Sequence, residues 1–142
     1  MRDGNLRQLF REHLPEAHWV PVETWSTGQG VPDSEYCFPG GASGWIENKK
    51  TSGWRVFIEP HQVAWLERRA RAGGRCFVAI RRKTETGPRR GKASDELILI
   101  RGRDARLLVD GDIKSIYDKV LHCYGGPSRW DWEDVRRALK GG

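Results

Sequence analysis

Residues 31–50, VPDSEYCFPGGASGWIENKK, are typical of a β-hairpin built around the turn Pro39-Gly40-Gly41. If that turn closes the hairpin about Gly40, Asp33 lies directly opposite Glu47, because positions 33 and 47 are equidistant from position 40. Antiparallel neighbours lie about 5 Å apart, so the hairpin would bring two carboxylates into one small site.

Strand alternation adds Lys49 to the face that carries Glu47. Two acids this close repel each other unless a cation lies between them, and a divalent metal is the usual cation. We therefore expect Asp33 and Glu47 to hold Mg²⁺, with Mn²⁺ as a substitute, and the backbone carbonyl of Asn48 could serve as a third ligand. Such an ion lowers the pKa of a water and neutralises charge on a phosphate. Lys49 would orient that water or stabilise the transition state, which predicts hydrolysis of a phosphodiester.

A strand–helix–strand unit follows the hairpin. Pro60 suits the first turn of a helix, Gly73-Gly74 suits its end, and residues 76–80 are typical of a buried strand. The pattern predicts an α/β fold with a central mixed β-sheet flanked by helices. The other predicted elements are helices over 5–14, 112–123 and 131–140 and strands over 18–25, 96–100 and 107–109.

The composition limits the classes of function. A chain of 142 residues predicts a single domain spanning 1–142, and the formal net charge of +6 favours a polyanionic partner. No apolar run approaches the roughly 20 residues that span a bilayer and no leader opens the chain, so we expect a cytoplasmic protein without a membrane partner. Three widely spaced cysteines predict neither a disulfide framework nor a zinc site.

The order of these motifs resembles the PD-(D/E)XK nuclease superfamily. Gly30-Val31-Pro32-Asp33, a glycine-containing turn, Trp45-Ile46-Glu47-Asn48-Lys49, Gln62 and Gly73-Gly74 carry the resemblance, which is closest to the small Holliday-junction-resolvase-like and VRR-NUC-type proteins. It covers about residues 20–83 and leaves a C-terminal part, predicted to be helical over about 104–142, outside it. The resemblance implies a restriction-endonuclease-like core.

The resemblance also implies roles for single residues. Asp33 and Glu47 match the metal ligands, Lys49 matches the catalytic lysine, and Gln62 matches an active-site residue that contacts water or phosphate. Many members supply a further acid from upstream, for which Glu23 and Glu12 compete here. We prefer Glu23, because it lies on the preceding strand and Glu12 borders the apolar face of the first helix.

Basic residues near this site predict contacts with a nucleic-acid backbone. Lys50 and Arg55 flank the site and are candidates for phosphates near the cut. Arg81 and Arg82 open a polar, basic stretch over 81–95, which is either a solvated loop or a grip on DNA.

These observations predict a Mg²⁺-dependent endodeoxyribonuclease that cuts branched DNA such as Holliday junctions, in DNA recombination or repair. Because a junction needs two paired cuts, the resemblance also implies a homodimer. One alternative is a nickase or a repair- or restriction-type nuclease of the same fold that acts on other DNA structures. Another, from a different class, is a DNA-binding module without catalytic activity.

Overall fold

The strands pair side by side in the order in which they follow along the chain. The computed structural model describes residues 3–22, 30–84 and 93–141, and of residues 117–120 it describes the backbone alone. The elements are α1 (Leu6–His13), β1 (His18–Pro21), β2 (Ser34–Cys37), β3 (Ser43–Thr51), α2 (Pro60–Arg71), β4 (Arg75–Lys83), β5 (Asp95–Arg101), α3 (Arg106–Asp110), β6 (Val120–Cys123) and α4 (Trp132–Leu139).

The hairpin of β2 and β3 has the predicted register. Ser34 pairs with Ile46 and Cys37 pairs with Ser43, so the turn is centred on Gly40. Gly40 has a φ of 95°, in the left-handed region that glycine adopts without steric cost. One step beyond Ser34, the same register brings Asp33 opposite Glu47.

Strands β3 and β4 form the parallel pair of the sheet, and α2 connects them. Trp45 lies beside Cys76 and Lys49 lies beside Ile80. Parallel strands place their carboxyl ends at the same edge, where open α/β sheets bind their ligands. Glu47 and Lys49 therefore lie in the half of β3 that leads to this edge.

Two apolar layers cover the two faces of the sheet. On one face, α1 and α4 pack against the sheet through residues such as Phe10 and Leu139, which are buried in one cluster with Ile46. On the other face, α2 contributes Leu66 to a second cluster that also contains Ile80. Helices therefore flank both faces of a mixed sheet, which confirms the predicted α/β class; the restriction-endonuclease-like core stays a prediction.

The prediction of a strand over residues 107–109 is wrong. These residues lie in the short helix α3, where Leu108 is buried and Val109 is exposed. A short apolar run is compatible with a buried strand and with one side of a helical turn, so the run alone does not distinguish them.

The prediction of a helix over residues 112–123 is wrong in its last part. Residues 113–119 form a 3₁₀ segment with non-helical backbone at Ile116, and Val120–Cys123 form β6. Strand β6 pairs antiparallel with β5, where Cys123 lies beside Leu97. The pairing supplies backbone partners to the outer edge of β5, a non-local effect that local periodicity does not contain. The part over 104–142 is therefore not wholly helical. In the described part of the chain no helix is long and apolar enough to cross a membrane.

Candidate active site

A cavity of about 650 Å³ beside β3 contains four of the predicted catalytic side chains. Asp33, Glu47, Lys49 and Gln62 all line it. Asp33 directly precedes β2, Glu47 and Lys49 lie on β3, and Gln62 lies in the first turn of α2. Three segments of the chain therefore meet here, because the hairpin and the crossover helix share the same strand.

The Gln62 amide connects the two charged groups of β3. Its Nε2 donates to Glu47 Oε2 over 2.9 Å, and its Oε1 accepts from Lys49 Nζ over 3.0 Å. Lys49 Nζ also lies 3.4 Å from Glu47 Oε2. The backbone N–H of Glu59 donates to the same Oε1 over 2.9 Å, which caps α2. Glu47 and Lys49 are therefore held in one fixed arrangement.

Asn48 orients the other carboxylate. Its side-chain Nδ2 donates to Asp33 Oδ1 over 2.9 Å, and its backbone N–H donates to the same oxygen over 3.2 Å. The Oδ1 of Asn48 is buried and has no hydrogen-bond partner among the described residues. Such an unpaired acceptor costs stability, so the orientation of Asp33 is obtained at some expense to the fold.

Burial perturbs both carboxyl groups. Burial first, and then the negative charge of Glu47, raise the pKa of Asp33 to about 7. Burial also raises the pKa of Glu47, whose side chain is nearly inaccessible, against the opposing charge and hydrogen bond of Lys49. The two acids are buried and repel each other when both are ionised, so additional positive charge would be stabilised there.

The oxygen donors of Asp33, Glu47 and Asn48 fit a hard divalent cation that takes few ligands from the protein. In the part of the chain that the structure describes, no group of three or more His, Cys, Asp or Glu side chains could hold a metal ion. Mg²⁺ commonly takes one or two carboxylates and completes its shell with water and substrate phosphate. Asp33 and Glu47 meet that requirement, and the backbone of Asn48 adjoins them.

The cavity also has lining residues that were not predicted, among them two charged residues from the start of the chain. Asp3, which precedes α1, and Arg7, in the first turn of α1, line it together with Asp33. The charges of both act on the Asp33 carboxyl: Arg7 lowers its pKa and Asp3 raises it. Arg7 Nε lies 3.4 Å from Asp3 Oδ2. No local pattern connects the first residues of the chain with β3, so only the tertiary fold reveals them.

Of the two candidates for the upstream acid, the structure describes only Glu12. Glu23 lies outside the described residues. Glu12 is exposed on α1, where its carboxylate accepts a hydrogen bond of 2.8 Å from Gln8, and it is not among the described residues that line the cavity. Asp3 and Glu59 are acids of the cavity lining that were not predicted for the site.

The predicted phosphate-binding residues fall into two classes. Lys50 and Arg55 are exposed near the carboxyl end of β3. The guanidinium of Arg81, by contrast, makes a two-bond ion pair with Asp95, with distances of 2.9 and 2.7 Å, and donates to the carbonyl of Gly4. Arg81 therefore anchors the segment that carries Asp3.

Arg82 is also engaged within the fold. It donates to Glu96 Oε2 over 2.7 Å, and its guanidinium lies 3.6 Å from the ring centre of Trp54. Strand β4 continues through Lys83, so Arg81 and Arg82 lie on a strand and not in the predicted loop. Their charges are paired and largely buried, which leaves them poorly placed for free contact with DNA.

No protein-family model matches the chain, and no curated protein matches it either. Membership of the PD-(D/E)XK superfamily therefore stays a prediction from the resemblance of the motifs.

Proposed function

We propose that this protein is a Mg²⁺-dependent DNA endonuclease of the PD-(D/E)XK type that cuts branched DNA such as Holliday junctions. The observation that supports the proposal is the bonded arrangement of Glu47, Lys49 and Gln62 beside Asp33, in one cavity of a chain with a net charge of +6. Perturbed pKa values cluster at functional sites, and here two buried acids of raised pKa lie beside a lysine and an amide at one cavity wall.

Each residue has a chemical task in this proposal. Asp33 and Glu47 would hold Mg²⁺ or Mn²⁺, with the Asn48 carbonyl as a third oxygen. When bound, the ion supplies Lewis-acid activation of water and neutralises phosphate charge. The Lys49 ammonium lies beside Glu47, where it can orient the attacking water and stabilise negative charge on the phosphate. Gln62 holds that ammonium in position.

Other residues would bind the DNA backbone. Arg7 lines the cavity, and Lys50 and Arg55 are exposed nearby, so the three can reach phosphates on either side of the cut. Paired incisions across a junction require two active sites, so we expect a homodimer on such substrates.

The test is incubation of the protein with a four-way junction, a flap and a linear duplex, each with Mg²⁺, Mn²⁺ or EDTA. The proposal expects metal-dependent cleavage that is fastest on the branched substrates. Cleavage of plain duplex at the same rate would favour a nickase or a repair- or restriction-type nuclease. DNA binding without cleavage of any substrate, at high protein concentration, would leave only a non-catalytic binding module.

A further inference from the structure

Phe57 presents an exposed aromatic ring at the wall of the charged cavity. Its exposed fraction is 75%, the highest among the large hydrophobic residues that the structure describes. Its neighbours Val56 and Ile58 are buried, with exposed fractions of 9% and 6%. The two buried side chains fix the backbone on either side, so the ring of Phe57 is directed outwards by an anchored segment.

The surroundings of this ring are polar. Phe57 lines the same cavity as Asp33, Glu47 and Lys49, and Arg7 belongs to that cavity as well. An exposed ring contributes little burial to the fold, because the hydrophobic effect scales with the apolar area removed from water. The ring is therefore available to a ligand that also contacts the charged groups.

The chemistry of the cavity selects a ligand with two parts. Lys49 and Arg7 suit an anion such as phosphate, whereas a flat exposed ring suits a planar apolar face. A nucleotide has both parts, and aromatic side chains bind single-stranded nucleic acids by stacking on their bases. In a continuous duplex both faces of each base are covered by neighbouring bases, so a base stacks on protein most readily where it is already unstacked from a neighbour.

We propose that Phe57 stacks on an unpaired nucleobase adjacent to the scissile phosphate. The inference rests on the proposed nuclease function and deepens it. The site takes DNA in which the base beside the cut is already unstacked, as at a branch point, a flap or a single-stranded end. The same phosphate contacts on a continuous duplex lack the stacking partner, so the ring acts as a determinant of substrate structure.

The test measures DNA binding in EDTA, where no cleavage is expected to interfere. Wild type and the variants Phe57→Ala, Phe57→Leu and Phe57→Trp are titrated with a fluorescent flap and a fluorescent duplex of equal length. We expect Phe57→Ala to lose about 5- to 150-fold in affinity for the flap and to bind the duplex as wild type does. Phe57→Trp should retain flap binding, and Phe57→Leu should behave like Phe57→Ala, because it keeps apolar area without a ring.

A spectroscopic readout identifies stacking directly. A flap with 2-aminopurine at the unpaired position should lose fluorescence on binding wild type or Phe57→Trp, and should not do so with Phe57→Leu. The matched control is Tyr124→Leu, which removes another exposed ring, at 61% exposure and outside the residues that line the cavity, and should leave binding unchanged.

Three results would overturn the inference: flap binding unchanged in Phe57→Ala, equal loss on flap and duplex, or an effect confined to self-association measured by analytical ultracentrifugation. The last would assign Phe57 to an interface between two copies of the chain. Addition of Mg²⁺ to the same complexes separates the two proposals. Flap binding that depends on the Phe57 ring, without cleavage, would overturn the proposed nuclease function and support the stacking role. Cleavage that is independent of Phe57 would support the nuclease function and overturn the stacking role.

Discussion

At the scale of single residues, the side chain of Gln62 connects the cap of α2 with both charged groups of β3. The same oxygen accepts from Glu59 and from Lys49, and the same amide nitrogen donates to Glu47. One amide therefore caps a helix and also holds an acid and a lysine. The capping pattern could be recognised from Pro60 and Gln62 in the sequence, whereas the contact with β3 required the tertiary structure.

Replacing Gln62 by methionine should therefore have two separable effects. Loss of the cap should lower the free energy of unfolding by about 0.5–2 kcal/mol. Loss of the bonds to Glu47 and Lys49 should lower the cleavage rate by about 10- to 100-fold, as for residues that position a catalytic group. The control is Asp131→Ala, which removes the cap of α4. It should lose similar stability in urea unfolding and retain cleavage; equal loss of cleavage in both variants would contradict a positioning role for Gln62.

The raised pKa of Asp33 predicts a trade between stability and function. The folded value of about 7 lies above the ordinary 3.8, so the folded state keeps a proton that the unfolded state loses. The contribution of Asp33 to stability is thus intact below about pH 4 and is lost as the pH rises through 7. Asp33→Asn should raise the free energy of unfolding in EDTA by about 1–4 kcal/mol at pH 8 and leave it unchanged near pH 4.

Urea unfolding at both pH values measures this difference. Asp110→Asn, which removes an exposed acid of α3, controls for the general effect of net charge. An Asp33→Asn variant that is less stable than wild type at pH 8 would mean that the carboxylate is not under repulsion.

At the scale of elements, the segment that leads to Asp33 passes very close to the start of α2. A Cβ added at Gly30 would lie 2.2 Å from the carbonyl oxygen of His61, and Gly30 has a φ of 85°. Only glycine permits this approach of the segment that leads to Asp33 to the helix that carries Gln62.

Gly30→Ala should consequently disturb both the fold and the site. The control is Gly40→Ala in the hairpin turn, which has a φ of 95° and open space around the added Cβ. We expect Gly40→Ala to cost about 1–2 kcal/mol from backbone strain alone. Gly30→Ala should cost about 1–3 kcal/mol more and should also slow cleavage. Equal unfolding free energies for the two variants would show that the approach to His61 can relax without cost.

How far the sequence predicts an element depends on whether its determinants are local. The β2–β3 hairpin was predictable to its register, because the turn at Gly40 and strand alternation are both local. Strand β6 was not, since its structure depends on pairing with β5 rather than on its own spacing. Asp3 could not be assigned for a similar reason: Arg81, distant in sequence, binds the carbonyl of Gly4 and so holds the chain start at the cavity.

At the scale of the whole molecule, the arginines near the cavity differ in how far their side chains are exposed. Arg81 is paired with Asp95, and their side chains are 12% and 19% exposed. Arg7 is paired with Asp3 over 3.4 Å, but its side chain is 40% exposed and lies at the cavity. From the sequence, Arg81 was predicted to contact DNA and Arg7 was not, because charge alone carries no information about exposure or about partners within the fold.

Arg7→Ala and Arg81→Ala should accordingly differ in what they change. Arg7→Ala should reduce the slope of log affinity for DNA against log salt by about 0.9, with little change in stability. Arg81→Ala should lower the free energy of unfolding by about 2 kcal/mol or more, because Asp95 is left without its partner. Removing Asp95 as well should restore part of that loss. If Arg81→Ala instead reduced the slope of log affinity against log salt and left the free energy of unfolding unchanged, β4 would be a DNA-binding strand.

The most direct measurement of the central claim is single-turnover cleavage of a branched DNA by wild type, Asp33→Asn and Lys49→Met, with Mg²⁺ and with EDTA. Glu12→Gln, which removes an exposed acid of α1, is the control. The account predicts that wild type and Glu12→Gln cleave in Mg²⁺ only. The cleavage rates of Asp33→Asn and Lys49→Met should be reduced by about 100-fold or more, and both variants should still bind the DNA. Wild type without metal-dependent cleavage, or Asp33→Asn and Lys49→Met that cleave as wild type does, would contradict it.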